Sequence, residues 1–379
     1  MSWVRSPLAA PLSRYSTQHC TPTNPVNTPE KLWFRPYVPI APLRGGHAQT
    51  LLGNFWRRPP LASRPEAEAV TVDASEGSRV LCHCHWQRYS QSGRVLADRL
   101  TLLVVHGLEG SSNSGYVRGI TDLALRAGCN VIRMNMRNCG GTENWTPTLY
   151  HSGLSADVGG VLHHFQRRHA LTRMAMIGYS MGGNLVLRLA GELGGNAPKW
   201  LLAVGAVSPV TDLAESADAL HERANRLYER HFLVRLMERF RRKASLYPDR
   251  YTLSGLPRIR SIREFDDAII APHFGFAGAD DYYFRASSAR LVDTIGIPTL
   301  ILHALDDPFI RMRPDTRERL FANPFVRLIE SRHGGHCAFL AAKPRQADGD
   351  FHRHWAEEVV VRFTLAATTQ RAEGERHGG

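Results

Sequence analysis

A serine that could act as a nucleophile lies in the segment Gly178-Tyr179-Ser180-Met181-Gly182. An apolar run precedes this segment and a stretch of helical period follows it, which is the strand–turn–helix context of a G-x-S-x-G nucleophile elbow. Glycine suits the two outer positions because side chains there would collide with neighbouring backbone in so tight a turn. The elbow would expose Ser180 above a helix N-terminus, where developing negative charge is stabilised.

Two later segments offer the acid and the base that a serine hydroxyl needs. The expected chain order is serine, acid, histidine, each at the end of a later strand. We favour Asp307 as the acid, because it directly precedes the residue that turns the chain away, and Asp306 remains the alternative. We favour His336 as the base, because two preceding glycines let its loop fold back over the serine, and His333 is the alternative.

Acyl transfer also requires hydrogen-bond donors for the oxyanion. The backbone N–H of Met181, directly after the nucleophile, is one candidate donor. The N–H of Leu108 is the second, because Gly107 allows the loop after the predicted strand Leu100–Val105 to approach closely. His106 is interpreted as a packed, hydrogen-bonded residue of the same loop.

The elbow residue also indicates the reaction. Serine forms an ester with an acyl group, so esters, thioesters or amides are the expected substrates. The sequence has no phosphate-binding loop and no dinucleotide fingerprint, and no cofactor is expected. The run Cys82-His83-Cys84-His85 alternates as a strand would and has no second ligand pair at a suitable spacing, so no metal site is expected either.

The elements that must position these residues are strands and helices, whose sequence patterns alternate along the chain. This alternation predicts a mostly parallel sheet buried on both faces, with an antiparallel edge hairpin formed by the first two strands. The alternation stops after Val207 and resumes at Pro298, which predicts a cap insertion at about residues 211–290. The predicted strands are Ala69–Val72, Val80–Trp86, Leu100–Val105, Asn130–Met134, Arg173–Ile177, Leu201–Val207, Pro298–His303 and Phe325–Ile329, and the predicted helices are Val117–Arg126, Ser155–His169, Met181–Leu193 and Phe351–Leu365.

The length of 379 residues, with 43% hydrophobic and 22% charged residues, fits one folded domain at residues 33–367 and excludes a disordered or collagen-like chain. Residues 1–32 are predicted to be a flexible tail, with a targeting segment as the alternative, and residues 368–379 a second flexible tail. No apolar run is long enough to span a bilayer, and the six cysteines do not resemble a disulfide framework. We expect a cytoplasmic protein, with peripheral membrane contact as an alternative.

The net charge of +12 is concentrated in one stretch. Residues 221–263 hold twelve Lys or Arg and four Asp or Glu, which accounts for eight of the twelve charges. Helical spacing there predicts an amphipathic cap helix whose apolar stripe roofs the active site and whose arginines face water. The apolar stripe comprises Tyr228, Phe232, Leu233, Leu236, Met237 and Phe240, and the basic side comprises Arg235, Arg239 and Arg242.

The alternative hypothesis for this helix is that its basic face contacts an anionic membrane. No recognition motif for nucleic acid accompanies the charge, so nucleic acid is not an expected partner.

Six further segments stand out beside the elbow. They are GHAQTL at 46–51, HGLEG at 106–110, RNCGG at 137–141, YHSG at 150–153, DDPF at 306–309 and HGGH at 333–336. With these segments, the sequence resembles the YheT-like (AB hydrolase 4) family of the α/β-hydrolase superfamily over roughly residues 34–363. The GHAQTL and YHSG boxes are much more specific to this family than the elbow itself.

The resemblance implies an α/β-hydrolase fold with a helical cap, and a serine hydrolase acting on carboxylic esters, with eukaryotic relatives that work on glycerolipids and phospholipids. We therefore expect a small-molecule or lipid ester of short to medium acyl chain as the substrate. An acyltransferase or thioesterase with the same three residues and a catalytically silent lipid-binding protein are the alternatives. For His47, Gln49 and His151, which match the family boxes, we expect structural hydrogen bonds.

Overall fold

The computed structural model of this chain describes residues 33–56, 58, 61, 66–254, 256, 258–343 and 352–377. Eight strands form one sheet in the order β1-β2-β4-β3-β5-β6-β7-β8. Strand β2 pairs antiparallel with both β1 and β4, and the remaining pairs are parallel, as the sequence predicted. The strands are β1 Glu68–Ser75, β2 Ser78–His85, β3 Thr101–Val105, β4 Asn130–Met134, β5 Met174–Tyr179, β6 Leu201–Val207, β7 Thr299–Ala304 and β8 Val326–Ser331.

Helices cover both faces of the sheet. Every residue of the central strands β3, β5 and β6 is buried, which requires apolar cover on each side. The α-helices are α1 Gly46–Phe55, α2 Gly115–Arg126, α3 Ser155–His169, α4 Met181–Leu193, α5 Leu213–His221, α6 Arg226–Leu246, α7 Ile262–Phe265, α8 Ala271–Phe274, α9 Ala279–Ala286, α10 Pro314–Ala322 and α11 Trp355–His377.

Two hydrophobic clusters correspond to the two faces. On one face, helices α2 and α11 bury residues such as Ile120 and Phe363 against the sheet. On the other, α3 and α4 bury Phe165 and Leu185 in a cluster that continues into the inserted helices through Leu236 and Phe265. The insertion therefore shares one apolar core with the sheet, and it lies as a cap over the carboxyl ends of the strands.

The cap comprises α5 to α9, with a π-helical turn at Asp266–Ile270 between α7 and α8. These elements lie between β6 and β7, within the interval that the sequence predicted for an insertion. Helix α6 is the predicted amphipathic helix, and it extends over 21 residues. Its residues Phe232 and Leu236 face the cavity beneath the cap.

The C-terminal end differs from the sequence prediction. Helix α11 extends to His377, whereas a flexible tail was expected from residue 368. The segment after Leu365 contains no proline, and the Thr368 and Thr369 hydroxyls donate to the Leu365 carbonyl oxygen at 2.8 and 3.0 Å. The helix can therefore continue past the last residues that pack on the sheet. The predicted N-terminal tail, residues 1–32, lies outside the described residues.

None of the described helices combines the length and the apolar content that crossing a bilayer requires.

Candidate active site

Ser180 lies on a strained turn between β5 and α4. Its backbone has φ 52° and ψ −117°, a conformation that non-glycine residues rarely adopt and that is typical of functional sites. A Cβ at Gly178 would lie 2.2 Å from the Gly182 carbonyl oxygen, and a Cβ at Gly182 would lie 2.4 Å from the His106 carbonyl oxygen. Both glycines are therefore required by close backbone contact, as expected for an elbow.

The structure brings the three predicted residues together. His336 Nε2 lies 3.0 Å from Ser180 Oγ, and His336 Nδ1 lies 2.8 Å from Asp307 Oδ2. Asp307 is 1% exposed and follows β7, and its other oxygen accepts hydrogen bonds from the backbone N–H groups of Phe309 and Ile310 at 3.2 and 3.0 Å. One imidazole thus bridges a hydroxyl and a carboxylate that the rest of the loop holds in place.

The pKa values of this pair shift apart. Burial alone would raise the pKa of Asp307, but the charge and hydrogen bond of His336 outweigh it, and the pKa is lowered. Burial alone would lower the pKa of His336, but Cys337 and the Asp307 carboxylate raise it above its usual value. Cys337 Sγ lies 3.5 Å from His336 Nε2. The carboxylate therefore stays ionised and stabilises an imidazolium.

The alternative residues Asp306 and His333 have different partners. Asp306 Oδ1 accepts a hydrogen bond from the Gly335 backbone N–H at 2.9 Å, and His333 Nδ1 lies 3.6 Å from Asp306 Oδ2. Asp306 thus fixes the glycine turn of the histidine loop, while Asp307 contacts the imidazole of His336.

Helix α1 supports the histidine loop through a residue that the sequence analysis did not single out. Thr50 Oγ1 accepts a hydrogen bond from the His336 backbone N–H at 2.8 Å and donates to the Gly46 carbonyl oxygen at 2.7 Å. Its neighbour Gln49 accepts from the Leu340 backbone N–H at 2.8 Å. The signal for this role was the GHAQTL box itself, in which Gln49 was expected to make structural hydrogen bonds.

The two predicted oxyanion donors border the same space as the nucleophile. Leu108, Ser180 and Met181 all line one cavity. The preceding His106 is buried, with Nδ1 2.8 Å from the Gly107 carbonyl oxygen and Nε2 accepting from the Met136 backbone N–H at 3.1 Å. Burial lowers the pKa of His106 to about 4, so its imidazole is neutral at pH 7. It is a loop-stabilising residue, as expected.

Arg239 does not face water, contrary to the sequence prediction for the basic side of the cap helix. Its guanidinium donates two hydrogen bonds to the Glu109 carboxylate, at 2.8 and 3.0 Å, and a third to Glu143 at 3.2 Å. Glu109 also accepts from the Tyr150 hydroxyl at 2.6 Å. Because Glu109 directly follows Leu108, this ion pair ties the cap to the predicted oxyanion loop.

The cavity lies between the sheet and the cap and has a volume of about 110 Å³. Its walls are mostly aliphatic and aromatic, which suits an acyl chain. The lining residues are Leu108, Tyr150, His151, Ser152, Ser180, Met181, Val210, Leu213, Ser216, Ala217, Leu220, Phe232, Leu236, Ile262, Phe265, Asp266, Ile270, Tyr282, Tyr283, Phe309 and Ile310.

The two family-box histidines make structural contacts. His47 Nδ1 lies 3.2 Å from the Tyr228 hydroxyl, which joins α1 to the cap. His151 Nδ1 accepts from the Gly153 backbone N–H at 3.1 Å, and burial lowers the pKa of His151 to about 3. Neither imidazole contacts Ser180 within the described part of the chain.

Comparison with known proteins agrees with this fold. A family model described as "alpha/beta hydrolase fold" matches residues 101–342. The chain is 32% identical over 313 residues to "Putative esterase YheT" of Escherichia coli, with 80% of this chain and 87% of that protein covered. It is 29% identical to "Phospholipase ABHD3" of Mus musculus, covering 88% and 78%.

A third relative is "Medium-chain fatty acid ethyl ester synthase/esterase 2" of Saccharomyces cerevisiae, which is 28% identical over 73% of this chain and 67% of that protein. The match to the family model covers more than half of the chain, and the identity to the bacterial relative extends over most of its length. With the sheet order and the cap described above, the chain belongs to the α/β-hydrolase family, in its YheT-like branch, and is a hydrolase.

Proposed function

We propose that this protein is a serine esterase that cleaves carboxylic esters through an acyl-enzyme on Ser180. The observation that carries the proposal is the single imidazole of His336, within hydrogen-bond distance of both Ser180 Oγ and Asp307 Oδ2. In this arrangement the base His336 can take the proton of the Ser180 hydroxyl, and Asp307 orients the base. Such an arrangement activates a hydroxyl that is otherwise unreactive.

In the first half-reaction, Ser180 Oγ attacks the ester carbonyl carbon while its proton passes to His336 Nε2. The backbone N–H groups of Leu108 and Met181 donate hydrogen bonds to the oxyanion that forms, and Asp307 stabilises the imidazolium. The C–O bond to the alcohol then breaks, and His336 returns the proton to the departing oxygen.

The second half-reaction repeats these steps with water. The water oxygen attacks the acyl carbon while His336 takes a proton from the water. The bond between the acyl carbon and Ser180 Oγ then breaks as His336 returns the proton to the serine. The products are a carboxylic acid and free enzyme. If an alcohol or thiol replaces water as the acceptor, the same intermediate gives acyl transfer, which is the alternative activity.

The apolar walls of the cavity favour a substrate with an acyl chain of short to medium length, esterified to a small alcohol or part of a glycerolipid. The names of the relatives, which include a phospholipase and a medium-chain fatty acid ethyl ester synthase/esterase, are consistent with this substrate class. No cofactor has a part in the proposed steps.

A panel of p-nitrophenyl esters of rising chain length, assayed with a monoacylglycerol and a lysophospholipid, tests the proposal. We expect the highest kcat/KM at a medium chain length and a loss of at least about 10³-fold in Ser180→Ala. Activity that persists in Ser180→Ala would refute the serine mechanism. Product analysis with added ethanol separates an esterase, which yields the free acid, from an acyltransferase, which yields the ethyl ester.

We also propose that the outer face of α6 contacts anionic membrane. Arg230 and Arg241 are exposed on this face, and so are Leu227 and Val234, which are 81% and 48% exposed. Cationic groups alternating with exposed apolar side chains are typical of helices that bind the interface of an anionic bilayer.

Vesicle co-sedimentation tests this membrane contact. We expect binding to vesicles with phosphatidylglycerol, weaker binding to pure phosphatidylcholine, and a loss of binding in the double variant Arg230→Gln, Arg241→Gln. The matched control is Arg94→Gln, which removes an exposed arginine from the loop after β2. Equal binding to both vesicle types would refute the proposed contact.

A further inference from the structure

A largely buried carboxyl group lies in the cap wall of the acyl cavity. Asp266 begins the π-helical turn at Asp266–Ile270, is 9% exposed, and lines the same cavity as Ser180. Ser180 belongs to the sheet side of this cavity and Asp266 to the cap side. Single π-helical turns break the regular hydrogen-bond ladder of a helix and occur often at functional sites.

The two carboxyl oxygens of Asp266 have different surroundings. Oδ2 accepts a hydrogen bond from the Tyr283 hydroxyl at 2.7 Å, while Oδ1 has no hydrogen-bond partner among the residues that the structure describes. The nearby guanidinium of Arg263 instead donates to the carboxylates of Asp218 and Asp280. Burial raises the pKa of Asp266 to about 7, so at neutral pH its carboxyl group exists in both protonation states.

Three other polar side chains in the cavity wall have hydrogen-bond partners within the protein. The Tyr150 hydroxyl donates to Glu109, the Tyr282 hydroxyl accepts from the Ser152 backbone N–H at 2.9 Å, and Ser216 Oγ contacts the Arg311 carbonyl oxygen at 3.4 Å. The Asp266 side chain is largely buried, and it lines the cavity with one carboxyl oxygen that no described residue contacts by a hydrogen bond. A ligand that fills the cavity can supply a hydrogen bond to this oxygen.

We propose that Asp266 is a specificity-determining residue that binds a hydroxyl group on the acyl chain, remote from the ester bond. This inference rests on the proposed function, because it takes the cavity as the acyl site of an esterase. The ligand class is therefore a hydroxyacyl ester.

A hydroxyl group matches this position better than a charged group does. It donates a hydrogen bond to the ionised carboxylate and accepts one from the neutral acid, so it suits both protonation states of Asp266. An ammonium group would pair with the ionised form alone, and it would lose far more hydration on entering an apolar cavity.

The test compares p-nitrophenyl octanoate and decanoate with isomers that carry one hydroxyl in the distal half of the chain. For wild-type protein, we expect kcat/KM for at least one isomer to exceed that of the unsubstituted ester by about tenfold, the effect of one added hydrogen bond. In Asp266→Leu the same ratio falls below one, because the hydroxyl group is then buried without a partner.

Two further variants keep the test decisive if Asp266→Leu folds poorly. Asp266→Asn retains hydrogen-bonding atoms in the same shape, and we expect it to retain a preference for the same isomer. Asp267→Asn removes a carboxylate from the neighbouring, exposed position of the same turn, and we expect the wild-type ratio.

Two results would overturn the inference. One is a wild-type protein that prefers no hydroxylated isomer, and the other is an Asp266→Leu variant that keeps the wild-type preference. A wild-type protein that hydrolyses none of these esters would instead refute the proposed function, and this inference with it.

Discussion

Removing the Arg239 guanidinium should damage both stability and catalysis. In Arg239→Met, Glu109 loses two hydrogen bonds and its neutralising charge. The side chains of this pair are 10% and 4% exposed, so solvent cannot replace the missing partner. Burial alone would raise the pKa of Glu109, and the hydrogen bonds and charge of Arg239 lower it. The variant therefore leaves the Glu109 carboxyl group buried beside the oxyanion loop without the partner that stabilises its ionised form.

Breaking a buried ion pair from one side costs about 3–5 kcal/mol, because the remaining charge is uncompensated. We expect Arg239→Met to lose that amount of unfolding free energy. Adding Glu109→Gln removes the orphaned charge, and the double variant should recover about half of the loss or more. Because Glu109 follows Leu108, we also expect kcat to fall by roughly 10- to 100-fold from misplacement of one oxyanion donor.

Urea unfolding monitored by tryptophan fluorescence measures the stability change, and hydrolysis of a p-nitrophenyl ester measures kcat. The matched control is Arg241→Met, an exposed arginine of the same helix, for which we expect a change within about 0.5 kcal/mol. An Arg239→Met variant as stable and as active as Arg241→Met would show that the ion pair does not hold the cap and the oxyanion loop together.

Three other perturbations have distinct expected outcomes. Asp307→Asn should lower kcat by about 10⁴-fold while Asp306→Asn lowers it less than about tenfold, and steady-state kinetics showing the reverse order would make Asp306 the acid. Thr50→Val removes the acceptor for the His336 backbone N–H, so kcat should fall while Thr50→Ser stays near wild type; equal losses in both variants would contradict this. Because the neutral imidazole is the base and the pKa of His336 is raised, kcat/KM should increase with pH, with a midpoint above about 6.5. A midpoint below 6 would contradict that shift.

The sequence was sufficient to predict that the candidate residues that follow strands lie together. Ser180, Asp307 and His336 each come after an aliphatic run, and the carboxyl ends of parallel strands share one edge of a sheet. Because that geometry repeats in every crossover unit, both the sheet and the meeting of the three side chains could be predicted from local patterns.

Contacts between distant segments could not be predicted in this way. Thr50 and His336 are 286 residues apart, and their hydrogen bond depends on how α1 packs against the histidine loop. Helical periodicity placed Arg239 on the polar side of the cap helix, but it does not distinguish a side that meets water from one that meets a buried carboxylate. The position of Asp266 in the cavity wall could not be predicted either, because its burial depends on how the cap packs over the sheet.

The proposed mechanism requires that Ser180 carries the acyl group. Reaction with a fluorophosphonate probe, followed by peptide mass mapping, measures this directly. We expect one modification per chain, on Ser180, and none in Ser180→Ala. Labelling of another residue, or equal labelling of both proteins, would contradict the proposed mechanism.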